Sequence, residues 1–582
     1  MDLHPSVVER LERLAPDQRA AATAPPGPIL CVAPAGSGKT TTLVARIAWL
    51  LASGAARADE VAAITFNKRA AVELDERLAA AVAPFGVAPG AVRVRTFHAL
   101  GLEILRDAGG AVEPLVDRIA VLRRIAPAIG PAGWRRLDTA FSKLKLDLGV
   151  TAEEVARDPA PGPIARAFLA YEAELASDGG LDFDDLVARS LRLLEGDAAV
   201  LARWRGRCAH LLVDEAQDLD RAQLRMAMLL AAPSNRIFLV GDDDQSIYGW
   251  RLADVRRVLA LADDLDGLRR VDLVVNYRCP ATVVRRAVRL VEHNVERFAK
   301  TIEARPEAPG PIILAADAAD ESVRVGRLLA GWFPVAGDGA GAADATGAAD
   351  ATRPPEPART RAILTRTNRE LLPAIAAALD RGIAFRPPPI ELLVDSPVVD
   401  RCLEEVGSAT SADLQILARI EAVRARWAAA PADPDADPDG PRPADIAMAV
   451  LAWAVPHRTI GALRAAIVAR RAALRELCRD DAPLTFATAH ATKGLEFDDV
   501  AVLGMERHRF PSARSLADAP DPARALEEER RLAYVAWTRA RRSLTLVYDP
   551  ATPSSFLLEA FDPDELGLED DGSSRTVDRA TD

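Results

Sequence analysis

The chain has 582 residues, with 73 basic and 85 acidic side chains, a net charge of −12 and 49% apolar residues. At ~100–200 residues per domain this length divides into three or four domains, and the apolar share excludes a disordered chain. No run of ~18 uncharged apolar residues occurs, which excludes a transmembrane helix.

The five cysteines (Cys31, Cys208, Cys279, Cys402, Cys478) are scattered singly with no CxxC spacing. That pattern argues against zinc and against a disulfide framework, and fits a reducing cytosol. The start, MDLHPSVVERLERL, has no basic segment followed by an apolar core, so no signal peptide is expected and a cytoplasmic location is. The acidic balance does not exclude a nucleic-acid partner. Much of the acid lies in PADPDADPDG (431–440) and FDPDELGLEDD (561–571), leaving room for a basic groove elsewhere. Lysine is scarce while arginine and alanine abound, a composition typical of GC-rich coding rather than of mechanism.

In chain order, the apolar run PILCVA (28–33), a Gly-rich turn and TTLVARIAWLLAS read as strand, loop and helix. VAAITF (61–66) predicts a strand followed by a helix over 68–81. HLLVDEA (210–216) and RIFLVGD (236–242) predict two more strands. Short buried strands alternating with helices give an α/β fold with a parallel sheet. Residues 102–181 carry no clear strand and read as a helical insertion. Strand patterns return at VDLVV (271–275), PIILAA (311–316), RAILTR (361–366), LTFATA (484–489), VAVLG (500–504) and LTLVY (544–548), predicting a second α/β unit. AGDGAGAADATGAADATRPPEP (336–357) and APADPDADPDGPRP (430–443) read as a disordered loop and a solvated linker. The polar residues from about Gly567 read as a frayed end.

APAGSGKT (33–40) follows a strand and opens a helix. Gly36 and Gly38 let backbone N–H groups converge on phosphate, the helix start favours negative charge, Lys39 reaches the terminal phosphates and the Thr40 hydroxyl ligates Mg²⁺. Ala33 stands where the first glycine of such loops is usual. A chance Gly-rich turn with a lysine is the ordinary alternative, and the strand–loop–helix context disfavours it. In LLVDEAQD (211–218), Asp214 and Glu215 end a buried strand. One carboxylate can hold Mg²⁺ while its neighbour orients and deprotonates a water.

VGDDDQSIYGWR (240–251) resembles the third motif of the UvrD/Rep family of superfamily 1 DNA helicases, and the family's other motifs follow in order. These are LAPDQRAA (14–21), ITFNKRAA (64–71), RTFHALG (95–101), LDFDDL (181–186), VVNYRCP (274–280), LTRTN (364–368), TAHATKGLEFDDV (488–500) and EEERRLAYVAWTRA (527–540), covering nearly the whole chain. The resemblance implies two RecA-like P-loop domains with ATP between them and single-stranded DNA across their tops. The expected division is 1–101 with 182–271 for the first domain and 272–389 with 481–560 for the second. Helical insertions take 102–181 and 390–480, and 561–582 is an acidic polar tail. The second insertion, about ninety residues, is shorter than the family's.

Carried onto this chain, the resemblance gives Gln18 and Tyr277 to adenine, and Ala35, Gly36, Ser37, Gly38, Lys39, Thr40 and Thr41 to the phosphates. Thr40 and Asp214 go to Mg²⁺, Glu215 becomes the catalytic base and Gln245 the sensor of the γ-phosphate. Glu496 touches the ribose or phosphates. Arg278 and Arg539, both expected from the second domain, neutralise charge on the transferred phosphoryl group. From its helix pattern alone Arg539 would be a solvated charge; YVAWTRA reverses that. Phe66, Phe97, His98, Tyr248 and Trp250 are expected at DNA bases, with Trp250 and Tyr248 foremost. Asn67, Arg251, Arg366, Asn368 and His490 are expected at the DNA backbone. Core packing is an equal alternative for Phe97, and a structural role for His490.

The implied activity is ATP-dependent 3′→5′ translocation on single-stranded DNA and unwinding of tailed duplex, independent of sequence, near the nucleoid and open to an accessory repair or replication protein. A translocase that barely unwinds is the alternative enzyme. A DNA-binding scaffold with a decayed motor is the alternative class, and the intact Lys39, Asp214, Glu215, Gln245, Arg278 and Arg539 count against it.

Overall fold

The computed structural model describes residues 3–110, 112–334, 359–388, 390, 392–408, 415–430 and 442–568. The loop expected at 336–357, the Pro/Asp core of the linker (431–440) and the tail beyond Leu568 lie outside the described residues.

The chain divides into two compact units, Met1–Arg278 with Asn294–Arg305, and Cys279–His293 with Pro306–Asp582. The first is built on a six-stranded parallel sheet: β1 Ile29–Val32, β2 Val61–Thr65, β3 Arg93–Thr96, β4 His210–Val213, β5 Ile237–Gly241 and β6 Arg269–Asp272, in the order β3-β2-β4-β5-β1-β6. Its inner strands β1, β2, β4 and β5 are buried on both faces, as a parallel sheet covered by helices requires, while the edge strands β3 and β6 are partly exposed. Ile29, Cys31, Ala63 and Phe238 point to one core with the helices Lys39–Ala52 and Lys68–Val82. Leu30, Val32, Ile64 and Leu239 point to the other, with helices Phe97–Asp107, Phe183–Gly196 and Arg221–Ala231. A two-stranded ribbon, β7 Val275–Asn276 and β8 Glu303–Ala304, completes the unit.

The contact boundary falls at 278/279, not 271/272, and this corrects the expectation that the second domain supplies Arg278. The physical reason is local. The backbone N–H of Val274 donates to Asp17 at 2.9 Å, that of Tyr277 donates to the Gly36 carbonyl at 2.9 Å, and β7 pairs with β8, so residues 274–278 are fastened to the first unit.

The first insertion begins later than expected, because helix Phe97–Asp107 runs past residue 101 and its Ile104 belongs to the sheet's own core. Beyond it, helices Arg118–Ile125, Gly130–Ser142 and Pro163–Asp178 enclose Val121, Leu122, Phe141, Phe168 and Tyr171. The LDFDDL segment ties this bundle down. Asp182 caps helix Phe183–Gly196 and takes Lys145 at 2.9 Å, Arg118 at 2.8 Å and the Tyr171 hydroxyl at 2.8 Å. Burial alone would raise the Asp182 carboxyl; Lys145 and Arg118 overcome it and hold the group well below the usual range.

The second unit has a five-stranded parallel sheet of β9 Ile312–Ala316, β10 Arg361–Thr365, β11 Leu484–Thr488, β12 Phe497–Val502 and β13 Ala540–Tyr548, in the order β11-β10-β12-β13-β9. The shortened insertion forms helices Pro397–Ser408, Ile416–Ala429, Pro443–Ala454 and Ile460–Leu477. Their apolar faces (Val399, Ile420, Val450, Ile467) share one core with Ile363, Phe486 and Leu503 of the sheet, so the insertion is packed onto its parent. The start of the acidic tail is also folded. Phe561 and Leu566 are buried, and Asp562 and Glu565 pair with Arg289 and Arg286 of helix Ala281–Val291 at 2.8 and 2.5 Å.

Candidate functional site

Ligands of open parallel sheets gather beyond the carboxyl ends of the strands, and the first unit follows that rule. The Gly-rich loop follows β1, the Asp214–Glu215 pair follows β4 and Gln245 follows β5, and β5 lies between β4 and β1. Phe66 follows β2, and Phe97 and His98 follow β3, further along the same edge.

Gly36 and Gly38 have φ of 68° and 84°, a left-handed backbone that glycine adopts without a Cβ penalty. A Cβ on Gly36 would lie 2.7 Å from Asn276 Oδ1, and one on Gly38 would lie 2.6 Å from Gln18 Nε2. The loop is therefore clasped by Gln18, expected at adenine, and by Asn276, the chain neighbour of Tyr277. Gln18 Nε2 donates to the Ser37 carbonyl at 2.8 Å, and Gln18 Oε1 accepts from Ala15 N at 3.1 Å. Lys39 Nζ donates to the Ala33 carbonyl at 3.2 Å, bending back over the loop that it opens. The Ser37 hydroxyl is buried with no protein hydrogen bond, and a phosphate oxygen would satisfy it. Beside Gln18 lies a cavity of about 280 Å³ lined by Arg10, Arg13, Leu14, Thr41 and Pro84. Tyr277, 40% exposed, is bound through its N–H to Gly36. A larger cavity of about 560 Å³, walled by Leu146, Leu191 and Met228, contains none of the residues singled out from the sequence.

Glu215 has φ 52°, a strained conformation for a side chain with a Cβ. Its Oε2 accepts from Gln217 Nε2 at 2.6 Å, while its N–H donates to Asp214 Oδ1 at 3.0 Å. Gln217 Oε1 accepts from the N–H of Asp242 at 3.0 Å, and Asp242 Oδ2 accepts from Gln245 Nε2 at 2.7 Å. Both side chains expected to act on the γ-phosphate thus hang from one short hydrogen-bond chain. Gln217 and Asp242 were not singled out from the sequence, although both lie inside the quoted motifs.

The aromatic residues divide. Phe66 and Tyr248 stack with centroids 4.8 Å apart, and Trp250, 56% exposed, meets Tyr248 edge-on at 6.1 Å. Arg251 lies over the Trp250 ring at 4.6 Å. Phe97 is 3% exposed and packs with Leu100 and Ile104, which corrects its expectation as a base contact: its side chain is core. His98 stacks on Phe183 at 4.2 Å, and Phe183 is 59% exposed, an aromatic surface that the sequence reading passed over. Burial holds His98 near 4, so its ring is neutral at pH 7. Asn67 caps helix Lys68–Val82 by accepting from Ala70 N at 2.9 Å.

In the second unit the two kinds of residue lie at opposite ends of the sheet. Arg366 and Asn368 follow β10 and His490 follows β11, at carboxyl ends, whereas Glu496 precedes β12 and Arg539 precedes β13. Arg366 is committed to Glu529, with Nε at 2.9 Å from both carboxylate oxygens, so it is no free backbone clamp. His490 is pushed by burial, then by Arg366 and Lys493, to about 3, and is likewise neutral. Arg539 is 1% exposed; Nε donates to the Val535 carbonyl at 2.8 Å and Nη1 to the Leu495 carbonyl at 3.1 Å. Glu496 is exposed and meets Arg541 at 3.3 Å.

Residues 14–266 match the UvrD/REP helicase N-terminal domain, and residues 468–550 match the UvrD-like helicase C-terminal domain. The chain is 31% identical to the ATP-dependent DNA helicase UvrD2 of Mycobacterium tuberculosis (strain ATCC 25618 / H37Rv), over 91% of this chain and 77% of that protein. It is 29% identical to DNA helicase II of Escherichia coli (strain K12), over 92% and 84%. With the ATP-dependent DNA helicase PcrA of Staphylococcus aureus (strain Mu50 / ATCC 700699) it shares 33% identity over 50% and 41%. Loop, carboxylate pair and glutamine stand in a row at one sheet edge inside the first domain match, and two of these relatives cover more than nine-tenths of the chain: the chain belongs to the UvrD-like helicase family.

Proposed function

We propose that the protein is an ATP-driven motor that moves 3′→5′ along single-stranded DNA and separates tailed duplex in DNA repair, replication or recombination. The observation that carries this reading is the row at the carboxyl edge of the first sheet, where the Gly-rich loop, Asp214–Glu215 and Gln245 follow neighbouring strands. Gln18 and Tyr277 hold the adenine, with the cavity beside Gln18 as its seat. The N–H groups of Ala35 to Thr41 and the Lys39 ammonium bind the phosphates, and Glu496 meets the ribose or phosphates. Thr40 and Asp214 would hold Mg²⁺, which supplies charge neutralisation on the phosphate oxygens when bound.

Glu215 takes a proton from the attacking water. The water oxygen bonds to the γ-phosphorus as the bond to the β–γ bridging oxygen breaks, and ADP carries away the electron pair. Gln245 orients the γ-phosphate, while Lys39, Arg278 and Arg539 neutralise the charge that develops. Arg278 belongs to the first unit and Arg539 to the second; the coupling of turnover to domain closure rests on the family resemblance.

The stacked pair Phe66 and Tyr248 with Trp250 edge-on beside it, Arg251 over Trp250, and Phe183 on His98 offer base-tolerant platforms. Asn67, Asn368 and the neutral His490 offer polar contacts to the strand. Reading no base edge, these groups support sequence-independent binding. A nucleoid setting and an accessory repair or replication protein fit this reading. The test compares ATPase and strand displacement on 3′-tailed, 5′-tailed and blunt duplexes. Unwinding only of the 3′-tailed substrate is expected; preference for the 5′-tailed one refutes the polarity.

A further inference from the structure

Residues 294–305 return to the first unit after the chain has entered the second, and two of their side chains enter the turn after β5. The buried ammonium of Lys300 lies 2.9 Å from Asp242 Oδ1 and 2.9 Å from Asp244 Oδ2, and also contacts Asp243. Arg297 closes on Asp244 with two parallel bonds of 3.0 and 2.9 Å, and the Phe298 N–H donates to Asp243 at 2.8 Å. Three adjacent buried carboxylates repel one another and lose hydration, and these cations offset that cost. A buried ion network adds little net stability over an apolar core; its effect here is geometric. Asp242 accepts from Gln245 on one side, and its N–H binds Gln217, which donates to Glu215, on the other. Gln217 is itself pinned, because a Cβ on Gly241 would lie 2.4 Å from its Oε1.

We infer that Lys300 and Arg297 are positioning residues for nucleotide hydrolysis: by clamping the Asp242–Asp244 turn they set the placement of Gln245 and, through Gln217, of Glu215. Neither touches the nucleotide. The inference rests on the hydrolytic reading of Glu215 and Gln245 given above.

The test is a double-mutant cycle on the full chain, measuring DNA-stimulated ATPase for the wild type, Arg297→Gln, Gln245→Ala and the pair. Arg297→Gln is expected to lower kcat about tenfold with KM for ATP within about threefold, because misplacement acts on the reacting geometry rather than on binding. In the Gln245→Ala background the same substitution should cost clearly less than in the wild type, since one of the two groups it positions is gone. Lys300→Arg, which keeps the cation, should retain more activity than Lys300→Gln. If Arg297→Gln fails to fold, Arg297→Lys keeps the charge, loses the paired bonds and carries the same comparison. Equal losses in both backgrounds, a loss confined to KM, or an unchanged kcat overturns the clamp alone. Full activity of Gln245→Ala overturns the clamp together with the hydrolytic reading beneath it.

Discussion

Phe66 and Tyr248 lie face to face, 4.8 Å between centroids and 15° from parallel, although 182 positions of sequence separate them. One ring follows β2 and the other follows the turn after β5, so the sheet edge holds a continuous aromatic surface, with Trp250 as its exposed edge. Trp250→Ala should therefore leave the melting temperature nearly unchanged while weakening single-strand binding by ~1–3 kcal/mol. Calorimetry beside DNA-stimulated ATPase decides the matter; a large melting loss with normal stimulation would return Trp250 to the core.

Phe97→Ala should do the reverse. Its ring is packed beneath β3, and truncation should cost ~3–5 kcal/mol of stability, read as a shift in denaturant midpoint. Single-strand affinity of the folded fraction should stay at the wild-type value.

Lys39→Ala should abolish turnover by removing phosphate binding. Glu215→Gln should retain nucleotide affinity and lose hydrolysis by several orders of magnitude, because positioning survives and the base does not. Nucleotide-binding fluorescence with single-turnover hydrolysis separates the two; near-full activity of Glu215→Gln would refute its assignment.

Asp220 caps helix Arg221–Ala231 by accepting from Gln223 N at 2.8 Å. Burial, with Asp184 nearby, pushes its carboxyl up to about 7 against those backbone bonds. A raised folded-state value means that its contribution to stability is complete below pH ~4 and is lost as pH rises through about 7. Asp220→Asn, which keeps the cap, should gain on the order of 2 kcal/mol over the wild type at pH 8 and nothing at pH 4. Denaturation at the two pH values checks this; an equal gain at both would mean that the carboxyl is not the cause.

The insertion after residue 390 shares its core with the second sheet, so it is packed onto its parent rather than standing as a separate domain that could hold duplex. The monomer should displace streptavidin from a biotinylated single strand yet separate long tailed duplexes poorly without a partner. Processive unwinding by the monomer would refute this.

Much of this was legible beforehand. β1, β2, β4 and β5 are uninterrupted apolar runs, which parallel strands buried on both faces must be, and the motifs mark their carboxyl ends. β3 was missed because RVRT, at the sheet edge, has a single buried residue. Phe97 could have been found from its spacing with Leu100 and Ile104, one face of a helix. Phe183 carried a signal too, an aromatic between aspartates in LDFDDL. Arg366 and Lys300 were not legible in the same way, because their partners Glu529 and Asp242 are 163 and 58 positions distant. Ion pairs at such range leave no local periodicity.

The return of residues 294–305 sets a condition on the order in which the protein is made. The turn at Asp242–Asp244 leaves the ribosome 58 residues before the Lys300 that neutralises Asp242. A nascent first unit ending at Arg278 has its whole sheet but three aspartates without their cations. Domains usually fold as units from the N-terminus during synthesis. Here the motor's first half stays unfinished until helix Ala281–Val291 of the second has already been synthesised.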